Sequence, residues 1–164
     1  MAKKPVRFHL NGAEKAVFVD EGANLLDVLR RGVGDLTPKY GCGQGTCGTC
    51  TVLIDGEPRL SCLTLAETVE GSQIATTAGL ARGAELHPLQ KAFMDGFAAQ
   101  CGYCTPGMLM AAKALLDRNP NPSREEVVEA ISGNICRCTG YEPIINAILA
   151  AAQAGGSNQR GRTG

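Results

Sequence analysis

The placement of eight cysteines constrains this chain more than any other feature of its sequence. Four of them share the 24 residues KYGCGQGTCGTCTVLIDGEPRLSC, Lys39 to Cys62, with five glycines. The other four form two close pairs further on, Cys101-x-x-Cys104 and Cys136-x-Cys138. Thiols grouped in this way bind metal, cross-link the chain or do redox work, and each use dictates the backbone around them. Where thiols are kept reduced, structural disulfides are rare and metal or redox chemistry comes first.

A reducing, cytoplasmic setting is the expectation here. The N-terminus MAKKPVRFHL starts basic but then alternates apolar and polar residues, with no apolar core of a signal peptide. The pair Arg30-Arg31 lies too deep to be an export signal. No apolar run approaches the ~20 residues of a membrane span. Sixteen basic and sixteen acidic residues give zero formal net charge, so no electrostatic footprint for nucleic acid is present. At 164 residues the chain can form one ordinary domain or two small ones. With four Phe, three Tyr and no Trp, its core must rest on Ala, Leu, Val and Ile. Small domains bury little surface, so whatever the cysteines hold is expected to contribute to stability.

Hydrophobic periodicity divides the chain in two. Val6, Phe8 and Leu10 alternate with Arg7 and His9, Asn11-Gly12 supplies a turn, and Val17 and Val19 keep the period of two, which predicts a hairpin. Asn24 fits an N-cap for a short helix carrying Leu25, Leu26, Val28 and Leu29 and closed by Gly32. TVLIDGEPRLSC predicts a second hairpin turning at Asp55-Gly56, and a further short strand is expected near Val69 to Ile74. Two hairpins around one helix make an α+β domain of the β-grasp kind over residues 1–80. After Gly83 the pattern becomes helical. Pro88 suits the first turn of a helix with Leu89, Ala92, Phe93 and Phe97 on its apolar stripe. Thr105-Pro106 predicts an N-cap followed by Pro, SREE from Ser123 has capping-box spacing, and Pro143 opens a last helix. Four short helices with apolar stripes predict a four-helix bundle over 81–154. Residues 155–164 are expected to be a disordered tail, and no repeat of solenoid period is present.

Gly43-x-Gly45-x-x-Gly48 matches a dinucleotide fingerprint in letters only. That motif needs a helix after the loop to meet pyrophosphate, whereas this loop runs into the strand TVLI. The cysteine spacing is more specific. Cys42-x₄-Cys47-x₂-Cys50, with Cys62 returning beyond a hairpin, is the spacing of a plant-type [2Fe-2S] site. The glycines then let a tight loop aim backbone N–H groups at sulfur. Zinc is the rival, although zinc loops usually pair their ligands as short knuckles. The second thiol set is less specific, since four thiols before two helix starts suit a cluster or zinc alike. A redox dithiol at Cys101 and Cys104 leaves Cys136 and Cys138 unexplained.

The three stretches GCGQGTCGTCTV, QCGYCTPGM and GNICRCTGY, in this order and separation, resemble the iron–sulfur small subunit of the molybdenum hydroxylases, the xanthine dehydrogenase and aerobic carbon monoxide dehydrogenase superfamily. The resemblance runs from the first hairpin to about Ala152. It implies an N-terminal β-grasp, ferredoxin-like [2Fe-2S] domain followed by a C-terminal four-helix [2Fe-2S] domain. Carried over motif by motif, Cys42, Cys47, Cys50 and Cys62 hold the first cluster, and Cys101, Cys104, Cys136 and Cys138 the second. The partners implied are a large subunit with molybdopterin, including its cytosine dinucleotide form, and a medium subunit with FAD, assembled as a heterotrimer or its dimer. Electrons then pass from molybdenum through the helical-domain cluster and the ferredoxin-like cluster to flavin, with no bond-making residue in this chain. Gln100 and Cys138 match family positions that meet the pterin. From the residues alone, Gln100 is equally a polar group at a helix end. Thr49 departs from the Ala more usual between those cysteines and is not expected to disturb ligation.

Other residues are expected to do less. His9 shares a strand face with Arg7 and is expected to be solvated, His87 is placed at a helix start, and Met108 and Met110 are packing or interface residues. Arg137 is either exposed or a positive charge that raises a cluster potential. Two rival functions stay open at the level of sequence, an independent ferredoxin and a zinc-stabilised interaction module. The substrate also stays open among purines, N-heteroaromatics, aldehydes, carbon monoxide and aromatic thioesters, because the reacting centre is expected on another chain.

Overall fold

The structure, a computed structural model, describes residues 3–159. Strands β1 (Lys3–Leu10), β2 (Ala13–Asp20), β3 (Thr51–Ile54), β4 (Glu57–Leu60) and β5 (Gln73–Ala75) form one sheet in the order β2-β1-β5-β3-β4. β1 and β5 run parallel, and the other pairings are antiparallel. Both hairpins turn where the sequence predicts. Asn11 and Gly12 have φ of 52° and 83°, and Asp55 and Gly56 have 52° and 85°, so both turns have the two positive φ values that match strand twist. Asn24 caps α1 (Leu25–Asp27), accepting from the Asp27 N–H at 2.9 Å, and the helix runs on as a widened turn over Val28–Gly32. Val6, Phe8, Leu10, Val19, Leu25, Leu29, Val52, Val69 and Ile74 close the first core.

The strand expected near Val69 to Ile74 is shorter. Val69 ends a 3₁₀ turn (Ala66–Val69), Gly71 reverses the chain at φ 76°, and only Gln73–Ala75 enters the sheet. His9 is also less solvated than expected, being half-buried. β1 has neighbours on both sides, with Glu14 and Gln73 in register beside His9, so its Nδ1 is shielded without a hydrogen-bond partner among the described residues.

Helices α2 (Pro88–Asp95), α3 (Thr105–Arg118), α4 (Arg124–Ile131) and α5 (Glu142–Gln159) build the second core. α3 is buried nearly all round, from Gly107 to Leu115, as a central helix must be. Met108 and Met110 are core packing residues at 0% and 1% exposure. α5 continues past the boundary expected at 154 and takes in residues 155–159, Gly-Gly-Ser-Asn-Gln, of the expected tail. Residues 160–164 lie outside the described residues.

The two cores meet across β3. Thr51, Val52 and Leu53 are all buried, so this strand does not alternate. Val52 enters the grasp core, and Leu53 enters the helical core. A strand covered on both faces reads as a continuous apolar run, and TVLI is one.

Phe97 and Thr105 depart from expectation. α2 stops at Asp95, and Phe97 lies beyond it at φ 50° and 83% exposure instead of on the buried stripe. Cys104, not Thr105, occupies the N-cap of α3, and the Thr105 hydroxyl is buried without a partner among the described residues. Cys104 lies where the chain has to turn its sulfur toward the other thiols. That position leaves the threonine one residue inside the helix.

Candidate metal centres

All eight cysteines are unpaired thiols. In the first set the loop after Tyr40 wraps inward, with Gly43, Gly45 and Gly48 at φ of 66°, 79° and 71°. Gly45 has left-handed backbone that strains any side chain, and a Cβ there would also displace the Leu63 side chain. The loop turns backbone donors onto sulfur, and Cys42 Sγ faces the N–H groups of Thr46 at 3.3 Å and Gln44 at 3.5 Å. The Thr46 side chain beside it and the Gln44 N–H lower the Cys42 thiol to about 5, so its thiolate is favoured. Burial pushes Cys62 up to about 11, with Cys50 beside it adding to the shift. Cys50 and Cys62 meet because they flank the β3–β4 hairpin, whose register pairs Thr51 with Leu60.

In the second set Cys104 stands directly before α3, and Cys136 and Cys138 lie in the loop between α4 and α5. Cys138 Sγ is 3.6 Å from Cys101 Sγ. Two sulfur ligands roughly 2.3 Å from one tetrahedral metal stand about 3.8 Å apart, so this pair already has the separation of thiolates sharing a metal. Burial pushes Cys104 up to about 12, and the neighbouring Cys136 adds to that. Burial also acts to raise Cys136, but hydrogen bonding to Thr139, whose Oγ1 is 3.2 Å from the sulfur, outweighs it and leaves the thiol lowered. The Tyr141 hydroxyl accepts from the Cys136 N–H at 3.1 Å and fixes the same loop.

The thiols therefore meet in pairs: Cys42 with Cys47, Cys50 with Cys62, Cys104 with Cys136, and Cys101 with Cys138. Among the described residues no three His, Cys, Asp or Glu side chains gather round a single ion. Two pairs on each side suit a two-iron cluster held by two thiolates per iron. A bound cluster's positive iron would cancel the burial cost that raises Cys62 and Cys104.

The loops of the two sets touch. The Ile135 N–H donates to the Cys47 carbonyl at 2.9 Å, one residue before Cys136. Asn134, 5% exposed, donates its amide to the Gly48 carbonyl at 2.9 Å. The Tyr103 hydroxyl donates to the Tyr40 carbonyl at 2.6 Å. Gly48 and Gly107 close this junction, and a Cβ on Gly48 would come within 2.5 Å of the Gly133 carbonyl oxygen. Bonded protein thus links one thiol set to the other.

Gln100 is exposed and donates its Nε2 to the Cys138 carbonyl at 3.2 Å, tying together the two loops that carry Cys101 and Cys138. Arg137 is exposed. His87 stands at the start of α2 as expected, accepting the Leu89 N–H at its Nδ1, and burial lowers its pKa. Thr49 places a buried hydroxyl 3.3 Å from Cys47 Sγ and 3.3 Å from the Lys39 carbonyl, where Ala would have none. Asn134, Thr139 and the Tyr40–Tyr103 contact were not legible from sequence. Their only signal was proximity to cysteines.

The family described as "2Fe-2S iron-sulfur cluster binding domain" matches residues 8–81, and that described as "[2Fe-2S] binding domain" matches residues 76–149. The chain is 44% identical to the nicotinate dehydrogenase small FeS subunit of Eubacterium barkeri, over 93% of this chain and 98% of that one. The crystal structure of quinoline 2-oxidoreductase from Pseudomonas putida 86 superposes with a TM-score of 0.92 at 47% identity, covering 99% of this chain and 100% of the matched chain. The aldehyde oxidoreductase of Desulfovibrio desulfuricans matches with a TM-score of 0.91 at 41% identity, over 94% of this chain but 17% of that longer one. No helix among the described residues is long and apolar enough to cross a membrane. Two [2Fe-2S]-binding domains in one α+β chain, with the grasp fold first and the helices second, place it among these proteins: the chain belongs to the iron–sulfur small subunits of the molybdenum hydroxylase superfamily, oxidoreductases in which it serves electron transfer.

Proposed function

We propose that this chain relays electrons between a molybdopterin centre on a large subunit and FAD on a medium subunit, within a heterotrimer or its dimer. Cys42, Cys47, Cys50 and Cys62 hold one cluster, and Cys101, Cys104, Cys136 and Cys138 hold the other. A bound [2Fe-2S] cluster supplies a site that takes and gives one electron at a time. The chain's own residues supply placement. Backbone N–H groups at Cys42 and the Thr139 hydroxyl at Cys136 favour the thiolates, and the α3 N-terminus after Cys104 favours negative charge there. Gln100 and Cys138 face the molybdopterin side. Cys101 and Cys138 are the exposed thiols of their set, and exposure at that edge is what a relay entering from a neighbouring subunit requires.

The observation that carries this reading is the contact between the two thiol loops, from the Cys47 carbonyl to the Ile135 N–H and on to Cys136. A lone ferredoxin has no use for a second thiol set coupled to the first. Purification from native cells should yield a red-brown complex with two larger subunits, FAD and molybdopterin, and about four iron and four acid-labile sulfide per small chain. Stoichiometric zinc without visible absorbance would refute the reading in favour of the zinc module. A stable stand-alone carrier, active without partners, would favour the independent ferredoxin.

A further inference from the structure

α2 ends in a corner that normally belongs to glycine. The Ala98 N–H donates to the Phe93 carbonyl at 2.9 Å and the Phe97 N–H to the Met94 carbonyl at 3.2 Å, the paired bonds of a Schellman C-cap. The residue at that corner takes left-handed backbone, and here it is Phe97 at φ 50°. A bulky side chain in this region is an outlier that costs free energy. Nothing among the described residues offsets that cost, because the ring is 83% exposed. Ala98, at 0% exposure, pins the backbone on the inner side, and Met94 adds a second apolar side chain at 65% exposure on the last turn.

The corner lies three residues before Gln100 and four before Cys101. A chain of four residues spans at most about 14 Å, so Phe97 falls inside the footprint of any partner of ordinary interface size that covers the exposed Cys101–Cys138 edge. Electron tunnelling falls off exponentially with distance, so the subunit exchanging electrons at that edge has to sit directly on it. Rigid aromatic side chains in such a footprint are the usual anchors of an interface.

We infer that Phe97, with Met94 beside it, is the apolar anchor by which this chain docks onto the large, molybdopterin-bearing subunit. This rests on the function proposed above. The corner, pinned by buried Ala98, holds the backbone that carries the ring in place, so little backbone freedom is lost on docking.

The test compares wild-type chain, Phe97→Gly and Phe97→Tyr, all iron-loaded, for dissociation constant against the purified large subunit. Phe97→Gly should bind at least about thirty-fold more weakly, equivalent to about 2 kcal/mol. Phe97→Tyr should stay within about threefold of wild type, because it keeps the ring. Glycine also relieves the left-handed corner, so the isolated Phe97→Gly chain should keep its iron and visible spectrum and melt about 2–4 °C higher. A purely structural Phe97 gives the opposite, a lower melting temperature, and overturns the inference. Unchanged affinity of Phe97→Gly in a chain whose wild type does bind overturns the inference alone. A wild-type chain that binds no large subunit overturns the proposed function and the anchor with it. A Phe97-dependent dimer of the isolated chain assigns the face to a second copy and likewise overturns the anchor.

Discussion

Gly107→Ala sets two effects of opposite sign against each other. Gly107 lies in the first turn of α3, and replacing glycine by alanine inside a helix ordinarily stabilises by about 1 kcal/mol. Here the added Cβ would overlap the Gly48 carbonyl oxygen and lie 3.0 Å from Asn134 Nδ2 and 3.1 Å from Thr49 Cα. Backbone has to move, and overpacking of this kind costs about 1–3 kcal/mol. The movement also stretches the buried hydrogen bond from Asn134 to Gly48 and its neighbour from Ile135 to Cys47, both 2.9 Å. Leaving one buried partner unsatisfied adds about 1–3 kcal/mol. The steric and hydrogen-bond losses exceed the helix gain, for a net destabilisation of about 2 kcal/mol. For a chain of this size that lowers the melting temperature by about 4–8 °C. Calorimetry of the iron-loaded chain measures it, with Gly133→Ala as control, since a Cβ there meets nothing within 4 Å. A melting temperature unchanged or raised in Gly107→Ala would show that the two thiol loops are not in close contact.

Three further outcomes are expected. Cys47→Ser should abolish the first cluster's electron paramagnetic resonance signal and spare the second, and Cys136→Ser should do the reverse; loss of both signals in folded protein would point to one shared site. Gln100→Leu should slow reduction of the clusters by substrate while both still assemble and accept electrons from dithionite, and wild-type internal rates would count against its contact with the pterin. Thr49→Ala should lower the first cluster's midpoint potential by about 40 mV, the equivalent of about 1 kcal/mol for a hydrogen bond to sulfur that strengthens on reduction. Redox titration measures this, and a potential within error of wild type would mean the hydroxyl donates to the Lys39 carbonyl instead, which lies at the same 3.3 Å.

The sequence by itself determined the parts that depend on near neighbours. Alternation from Val6 to Leu10, the Asn11-Gly12 and Asp55-Gly56 turns, and the caps at Asn24 and Ser123 are local, and the structure keeps each of them. Local rules failed where a distant segment decides the outcome. Phe97 has the spacing of a buried stripe, but α2 ends two residues earlier, and the ring is left outside. Thr105 looks like a cap, but Cys104 takes that place. His9 reads as solvated, yet register with β5, some sixty residues away in sequence, leaves it half-buried with its Nδ1 shielded. The junction of the two thiol loops is the clearest case. No local pattern shows that Asn134, Gly48 and Gly107 meet, because their partners lie far along the chain, 86 residues for the bond from Asn134 to Gly48. Only when α3 packs on the outer face of β3 do Gly48 and Gly107 meet, and only tertiary packing therefore places one thiol set in bonded contact with the other.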